Sequence, residues 1–532
     1  MKQNNNPRYK MAHLGYFCVS LLLSVPAHAF ADIFSRNMVS ACPAPVFIAK
    51  GAEDSVSVNS LSIYRRIEPS FFGFNIELME FQMGFQNESR DLMPELIDWM
   101  RPFSGAVYRY PGGTGNYVDW RDTVGPIKER KRKKYATWMP PKVATFGFDE
   151  YRKFLKDVEG VGWYLVNIQG TVDSEEPIEG LVKGANAAAK YLSSSDQKGL
   201  PTIGFWELGN ELDRHPFTWP PDKIADRATK AAQALKSGGV VNPRFVMLFQ
   251  EYPAQQKRGI SAKKFNQELF KGLKPLNVDL GFHLYYDAVP GGLSMPEYLN
   301  RACQGISDVA EVNDGKRPTA WITEHARVPE GAFDKPDWKD LWPQTANLQA
   351  AIGVADFYIA AASVPEIAGA FVHTLQAMGG PWPMFHKNSS GSLKPSAVYW
   401  AVRMLRDSYL SNVLQTKSIS SNESDYRGGY DVRSVVLTDD KKEIFSFWAI
   451  NRDKRLERLN LKIPALKGRN FVATRQNLTA GSLKSSSYDE ASYIRPSEVS
   501  VDINFDASGE AVITLPGWSI STFKLIPKER TK

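Results

Sequence analysis

The chain is predicted to be an α/β protein, a (β/α)8 barrel of the TIM type with a C-terminal β-sandwich that also takes in the N-terminal strands. Three observations predict it. Between about Phe72 and Asp407, short apolar runs alternate eight times with amphipathic stretches, as parallel strands buried beneath helices do. After Leu410 the helical period stops, and strand-like runs between polar turns remain. The 532 residues are 43% hydrophobic and 23% charged, a globular composition of more than one domain that excludes disorder, collagen and coiled coil.

The barrel strands are expected at Gly73 to Leu78, Ala106 to Tyr110, Trp163 to Ile168, Gly204 to Leu208, Arg244 to Phe249, Leu280 to Tyr285, Ala320 to Thr323 and Gly369 to Thr374. Helices are expected at Asp91 to Met100, Asp149 to Glu159, Gly180 to Leu192, Asp222 to Lys236, Ala262 to Leu273, Pro296 to Val312, Thr345 to Ala362 and Pro395 to Ser408. Eight units over roughly 335 residues fit a barrel with long loops better than an open doubly wound sheet. The barrel is assigned to residues 69–408. Sandwich strands are expected at Ser434 to Leu437, Glu443 to Ile450, Phe471 to Thr474, Val499 to Ile503, Ala511 to Leu515 and Ile520 to Leu525. Phe47 to Lys50 and Val56 to Val58 are strand-like with no helix after them, so residues 46–68 join 410–530 in a discontinuous sandwich.

The N-terminus carries Lys2, Arg8 and Lys10 and no acid, then a twelve-residue, mainly apolar stretch from Leu14 to Val25, then Pro26-Ala27-His28-Ala29-Phe30-Ala31. This charged, apolar, small-residue order predicts an export signal over residues 1–29, too short in its apolar part to remain as a membrane anchor. The expected location is periplasmic or extracellular. Losing the leader removes three cations from a chain of net charge +7, and the remaining +4 is no nucleic-acid-binding balance. Cys42 and Cys303 would remain, able to pair in an oxidising compartment but forming no metal motif.

Barrel enzymes carry their reacting groups at the C-terminal ends of the strands. Here those ends read Asn75-Ile76-Glu77, Arg109-Tyr110-Pro111-Gly112-Gly113, Asn167-Ile168-Gln169-Gly170, Trp206-Glu207-Leu208-Gly209-Asn210-Glu211, His283-Leu284-Tyr285-Tyr286-Asp287, Thr323-Glu324-His325 and His373. Glu211 and Glu324 each close a strongly apolar run, on strands four and seven, which face each other across a barrel. Retaining glycosidases need two carboxyl groups about 5–5.5 Å apart, and facing strand ends supply that gap.

The stretch Ile203-Gly204-Phe205-Trp206-Glu207-Leu208-Gly209-Asn210-Glu211 resembles the acid/base strand of clan A retaining glycosidases. Within that clan the chain looks most like the α-L-arabinofuranosidase family that joins a barrel to a sandwich. Gly73-Phe74-Asn75-Ile76-Glu77, Arg109 to Gly113, Trp120 to Pro126, Phe146 to Tyr151 and Asn167 support the likeness in order. It implies Glu324 as nucleophile, Glu211 as acid/base, Asn210 on the sugar 2-hydroxyl and Glu77 on other hydroxyls of the −1 sugar. It further implies that Arg109, His283 and Tyr285 orient the nucleophile and that Asn167 binds substrate. One departure bears on sugar specificity: the family usually follows the nucleophile with Trp-Asn, where this chain has His325-Ala326-Arg327.

The chemistry asks for an ionised Glu324, its pKa lowered by Arg109 and Tyr285. It also asks for a Glu211 whose pKa is raised by a less solvated site beside Trp206 or other aromatics. No cofactor and no metal are expected, since His215, His283, His325, His373 and His386 lack zinc-motif spacing. The run Lys128-Glu129-Arg130-Lys131-Arg132-Lys133-Lys134 reads as a solvated loop that, on the active-site face, could draw in an acidic polysaccharide. Trp138, Trp219, Trp338, Trp342 and Trp382 fall in loops of the same face, where indoles stack on sugars or plug the core. The sequence therefore predicts a retaining glycoside hydrolase acting on an oligo- or polysaccharide. Two rivals stand beside it: a glucuronidase, heparanase-like or endo-acting hydrolase of an acidic glycan, and a non-catalytic glycan-binding protein.

Overall fold

A computed structural model of the chain describes residues 51–528 except 138, 194–198, 215–216, 252–259, 288–294, 333–336, 378–379, 422–429 and 487–492. The expected leader, Cys42, the strand expected at Phe47 to Lys50, Trp138 and His215 lie outside the described residues.

Two short strands come first, β1 (Ser55–Ser57) and β2 (Ile63–Arg66). Eight parallel strands follow: β3 (Phe72–Asn75), β4 (Val107–Tyr110), β5 (Val161–Val166), β6 (Ile203–Leu208), β7 (Arg244–Leu248), β8 (Asp279–Tyr286), β9 (Ala320–Arg327) and β10 (Ile367–Val372). They pair in chain order and close through β10 against β3 into a barrel. Helices α1 (Leu78–Phe85) and α2 (Pro94–Met100) follow β3. Then α3 (Phe148–Asp157), α4 (Ile178–Leu192), α5 (Pro221–Ser237), α6 (Ala262–Leu273), α7 (Met295–Glu311) and α8 (Leu348–Ala362) each lead into the next strand, and α9 (Ala397–Asp407) completes the ring. A small hairpin of β11 (Phe385–Lys387) and β12 (Leu393–Pro395) lies between β10 and α9.

Every expected barrel strand and helix is present within a few residues of the place its periodicity gives it. Helix α1 is additional: Leu78, Met79, Phe81, Gln82, Gly84 and Phe85 are all buried, so no polar face breaks the apolar run after β3. Local caps fix other starts. Ser261, Asn347 and Ser396 accept hydrogen bonds from Lys264, Ala350 and Tyr399 backbone N–H groups at the heads of α6, α8 and α9.

The barrel is filled, not hollow. Val107, Trp163, Phe205, Val246, Trp321 and Phe371 close its interior, with Trp163 4.8 Å from Phe205, 5.4 Å from Trp321 and 4.9 Å from Phe371 between ring centroids. Gly73 leaves room for this plug, since a Cβ there would lie 1.8 Å from the Phe371 ring.

The C-terminal part adds β13 (Asn412–Leu414), β14 (Lys417–Ile419), β15 (Val432–Thr438), β16 (Phe445–Asn451), β17 (Glu457–Lys462), β18 (Asn470–Thr479), β19 (Ser497–Asn504), β20 (Glu510–Leu515) and β21 (Ser519–Pro527). They form two facing sheets, ordered β14-β1-β17-β20 and β19-β18-β21-β16-β15-β13-β2. Both N-terminal strands are thus drawn into the sandwich, β1 between β14 and β17 and β2 against β13. The two-residue period of β16 divides its side chains. Phe445, Phe447 and Ala449 enter the sandwich core, while Trp448 and Ile450 turn to the barrel. Helix α8 lies in that junction and is buried almost all round, as a helix packed on two sides must be. Cys303 is buried on α7 and is disulfide-bonded. Among the described residues, no helix is long and apolar enough to cross a membrane.

Candidate active site

The site is built in layers above the aromatic plug, and Arg109 on β4 ties them together. Its guanidinium is fully buried and all five N–H donors have acceptors. Nε and Nη2 donate to Glu207 at 2.6 and 2.9 Å, Nη1 to Asn75 and Glu324, each at 2.8 Å, and Nη2 to Asn210 at 2.6 Å. Trp163, from the plug below, donates its indole N–H to Glu207 at 2.6 Å. Glu207 is the acid that sequence reasoning left out of the site. Its parity on β6 was the available signal, because Phe205 and Glu207 point inward while Trp206 points outward.

A β-bulge sets Glu324. Both neighbours of β9 find one extra residue there: Phe282 and His283 face Ile322 and Glu324, while Ala370 and Val372 face Ile322 and His325. The inserted Thr323 shifts the alternation, so Glu324 joins the inward side above the plug. Its Oε2 accepts from the Tyr285 hydroxyl at 2.6 Å and lies 3.4 Å from Nδ1 of His283 and 3.9 Å from Nδ1 of His373. Burial alone would push the Glu324 carboxyl up. His283, His373, Arg109 and the Tyr285 hydroxyl outweigh it and hold the group well below the usual carboxylate range.

Glu211 sits in the left-handed backbone region, at φ 49°, after Gly209 at φ 86°. Its Oε1 is 2.7 Å from Nδ1 of His283 and 3.2 Å from Arg214, which also pairs with Glu251 at 2.7 Å. A carboxylate oxygen of Glu211 and one of Glu324 lie within 4.8 Å of each other, with His283 between them. The expectation of a raised Glu211 pKa is corrected. Burial does push it up, but Arg214 and the His283 hydrogen bond pull it below the ordinary value, and Trp206 faces away on the other side of β6.

Glu77 caps the space from β3, accepting from the Gly113 N–H at 2.8 Å. Burial first, then Glu80 and Glu324, push its carboxyl up to about 8, so it holds a proton at neutral pH. Gly112, at φ 77°, admits that carboxyl: a Cβ would lie 2.2 Å from Oε1. Asn210 is fixed by a reciprocal pair, its N–H donating to Asn116 Oδ1 at 2.9 Å and its carbonyl accepting from Asn116 Nδ2. The structure brings Glu77, Arg109, Asn210, Glu211, His283, Tyr285 and Glu324 together. Asn167 is not among them. Its carboxamide closes its own turn, accepting from the Gln169 and Gly170 N–H groups and donating to the Gly170 carbonyl.

His325 lies on the opposite side of β9 from Glu324, its ring stacked on Phe357 at 4.4 Å beneath α8. Burial lowers it to about 3, so it is neutral packing and the departure after Glu324 does not face the site. A wall of Trp382, Trp338, Trp342 and Ala326 stands behind Tyr285, with Trp382 5.3 Å from the Tyr285 ring and 5.2 Å from His373. Trp219 is a buried plug under Lys223 and Arg227. Of the basic run, Arg130 is buried on Gly125 and Ala144 carbonyls and Glu150, while Lys133 and Lys134 pair with Asp122 and Asp173.

Two sets of side chains, Glu77-Glu324-His373 and Glu211-His283-Glu324, are close enough to offer ligand atoms to a cation. In both, Glu324 already accepts from Arg109 on Oε1 and from Tyr285 on Oε2. The arrangement suits a pair of carboxyl groups with different tasks: one ionised and oriented by fixed donors, the other at the solvent edge.

No family model matches the chain. Among curated proteins it is 29% identical over 165 residues to an intracellular exo-α-(1→5)-L-arabinofuranosidase of Streptomyces lividans, a match covering 28% of this chain and 24% of that protein. It is 28% identical over 141 residues to another of that name from Acetivibrio thermocellus, covering 25% and 27%. The matches span about a quarter of the length of these curated relatives. Among solved structures, an α-L-arabinofuranosidase from Thermotoga maritima superposes with a TM-score of 0.71 at 14% identity, over 90% of this chain and 100% of that one. A family 51 arabinofuranosidase from Xanthomonas axonopodis pv. citri does so with a TM-score of 0.71 at 14%, over 89% and 100%. The barrel-plus-sandwich fold is therefore that of the arabinofuranosidases along nearly the whole chain. The expectation of export is corrected by the same comparison, because these curated relatives are named intracellular. A basic flank and a twelve-residue apolar stretch form a short compositional signal, and that segment lies outside the described residues.

Proposed function

We propose that the protein is a retaining glycoside hydrolase of α-L-arabinofuranosidase type, working inside the cell as the names of its relatives suggest. The observation that carries the reading is the approach of Glu211 and Glu324 to within 4.8 Å on facing sides of the barrel mouth, bridged by His283. Carboxyl groups about 5–5.5 Å apart suit double displacement, whereas inversion needs about 6.5–9.5 Å to seat a water between them. Glu324 attacks the anomeric carbon, forming an ester as the bond to the leaving oxygen breaks and Glu211 gives that oxygen its proton. Water then attacks the same carbon, Glu211 takes its proton, and the ester breaks to free Glu324. The ester also removes the negative charge of Glu324, one of the influences that raise the Glu211 pKa, so Glu211 stays ionised to lower pH and is ready to take the proton of the attacking water. Protonated Glu77 and the amide of Asn210 face the place of the sugar and supply donors to its hydroxyls.

The substrate is an oligo- or polysaccharide carrying arabinofuranosyl units. Half of the six cations of the basic run, Arg130, Lys133 and Lys134, are engaged in the protein's own pairs and are not free for an acidic glycan. The test is hydrolysis of nitrophenyl α-L-arabinofuranoside, β-glucuronide and a small panel of other glycosides by wild type and Glu324→Gln. Turnover of the arabinofuranoside, lost by at least about a thousandfold in the variant, is expected for a missing nucleophile. Turnover of the glucuronide alone, or equal activity in the variant, overturns the reading.

A further inference from the structure

A second cavity of about 280 Å³ opens beside the barrel mouth, between the loop after β4, the end of β5 and helix α4. None of Glu77, Arg109, Asn210, Glu211, His283, Tyr285 or Glu324 lines it. Asn116 and Tyr117 divide the two spaces, since Asn116 turns inward to hold Asn210 while Tyr117 lines the cavity. Trp120, Tyr164 and Trp206 supply aromatic surface, and Asn167, expected at the catalytic site, lies here instead.

Two features mark this space as a place for a ligand. The Trp206 side chain is 1% exposed, and its indole N–H is a buried donor with no hydrogen-bond partner in the protein. Buried indole N–H groups ordinarily find an acceptor, and this one belongs to a ring lining an open cavity. The charges around the cavity are also paired except for Glu176: Lys133 pairs with Asp122, Lys134 with Asp173 and Arg121 with Asp119. Lys133 and Lys134 thus act as rim struts, and the cavity lining offers an anionic ligand no net attraction. Flat aromatic faces with paired polar groups around them recognise the C–H faces and hydroxyls of a sugar, and the volume is near the small end of ligand pockets, suited to one ring.

We propose that this cavity is an accessory binding site for a single neutral sugar unit, a hydroxyl of which accepts the Trp206 indole N–H. The choice of L-arabinose as first probe rests on the proposed function, whereas the site itself rests on Trp206 and the paired rim.

The experiment follows the Trp206 indole N–H resonance in the full-length protein with nitrogen-labelled tryptophan, assigned by its absence in Trp206→Phe, during titration with L-arabinose, D-xylose and D-galactose. A second variant, Gly184→Leu, tests the space without disturbing the ring. Gly184 lines the cavity from α4, and a Cβ there meets nothing nearer than Arg121 at 3.7 Å, so a leucine fills the void and favours the helix. A saturable shift of the Trp206 signal with at least one neutral sugar is expected, lost in Gly184→Leu, with aryl-glycoside hydrolysis unchanged in that variant. A Trp206 signal that no sugar moves, or that moves equally in Gly184→Leu, overturns the site. A shift with a neutral sugar in a protein that leaves aryl arabinofuranoside intact keeps the site and removes the catalytic reading.

Discussion

Arg109 shows how one residue can commit a whole site. Its five donors meet Glu207, Asn75, Asn210 and Glu324, so Glu324, the residue before Glu211 and the floor of the barrel are held by one rigid fork. The sequence made Arg109, Glu324 and Glu211 legible because each ends an apolar run. Glu207 stayed hidden, since an acid next to Trp206 reads as a surface group until the inward parity of β6 is known. Glu211 carries the sharpest prediction at this scale. Arg214 lowers its pKa, so the acid form is lost at unusually low pH, and kcat/KM is expected to be highest on the acid side of neutrality. In Arg214→Gln the lowering cation is gone, the Glu211 pKa rises, and the alkaline limb of kcat/KM moves to higher pH. Profiles of both proteins check this; an unmoved limb would mean that another group, not Glu211, sets it.

At the scale of elements, periodicity located all eight strands and eight helices but could not locate interruptions of period. The bulge at Thr323 is one, because an extra residue in β9 leaves no mark on composition and is seen only when both neighbouring strands are in register. Strands β13, β14 and β17 are another kind of miss: β13 and β14 are three residues each, too short to show a period, whereas β17 does alternate, with Leu459 and Leu461 buried between Arg458, Asn460 and Lys462. Asn167 failed for a third reason, since an Asn at a strand end serves equally well to close its turn. The loop after β4 offers a test of element-level design. A Cβ on Gly113 would be 3.4 Å from Asn210, 3.8 Å from Glu77 and 3.9 Å from Glu324, so it clashes with nothing but projects into the space for the sugar. Gly113→Val is expected to raise KM by roughly tenfold or more, about 1.4 kcal/mol of binding, while the thermal midpoint stays near that of wild type. A normal KM would place the sugar elsewhere.

Across the whole molecule, the barrel and the sandwich share one junction, and its polar centre is Asp356 on α8. This fully buried carboxylate accepts from Arg433 of β15 at 2.6 Å, from Arg452 just past β16 at 2.6 Å and from the Tyr430 hydroxyl. Around it Phe72 of the barrel meets Trp448 of the sandwich at 6.1 Å, so the seven-stranded sheet has two buried faces and cannot leave the barrel without exposing one. Burial pushes the Asp356 carboxyl up, but the two arginines and the tyrosine hydroxyl hold it below its ordinary value. A depressed folded-state pKa contributes stability that is present above the unfolded value, about 3.9, and is lost as pH falls through the folded one. Asp356→Asn leaves two buried guanidinium groups facing an amide, and removing one partner of such a cluster costs about 3–5 kcal/mol. Urea unfolding at neutral pH should therefore show a large loss of stability with a single transition, barrel and sandwich signals moving together because they share the junction. The gap between wild type and variant should narrow as the pH is lowered below about 4, where protonation weakens the native cluster. Equal stability at neutral pH would show that the apolar faces alone hold the two parts together, and a gap that widened in acid would contradict an ionised Asp356.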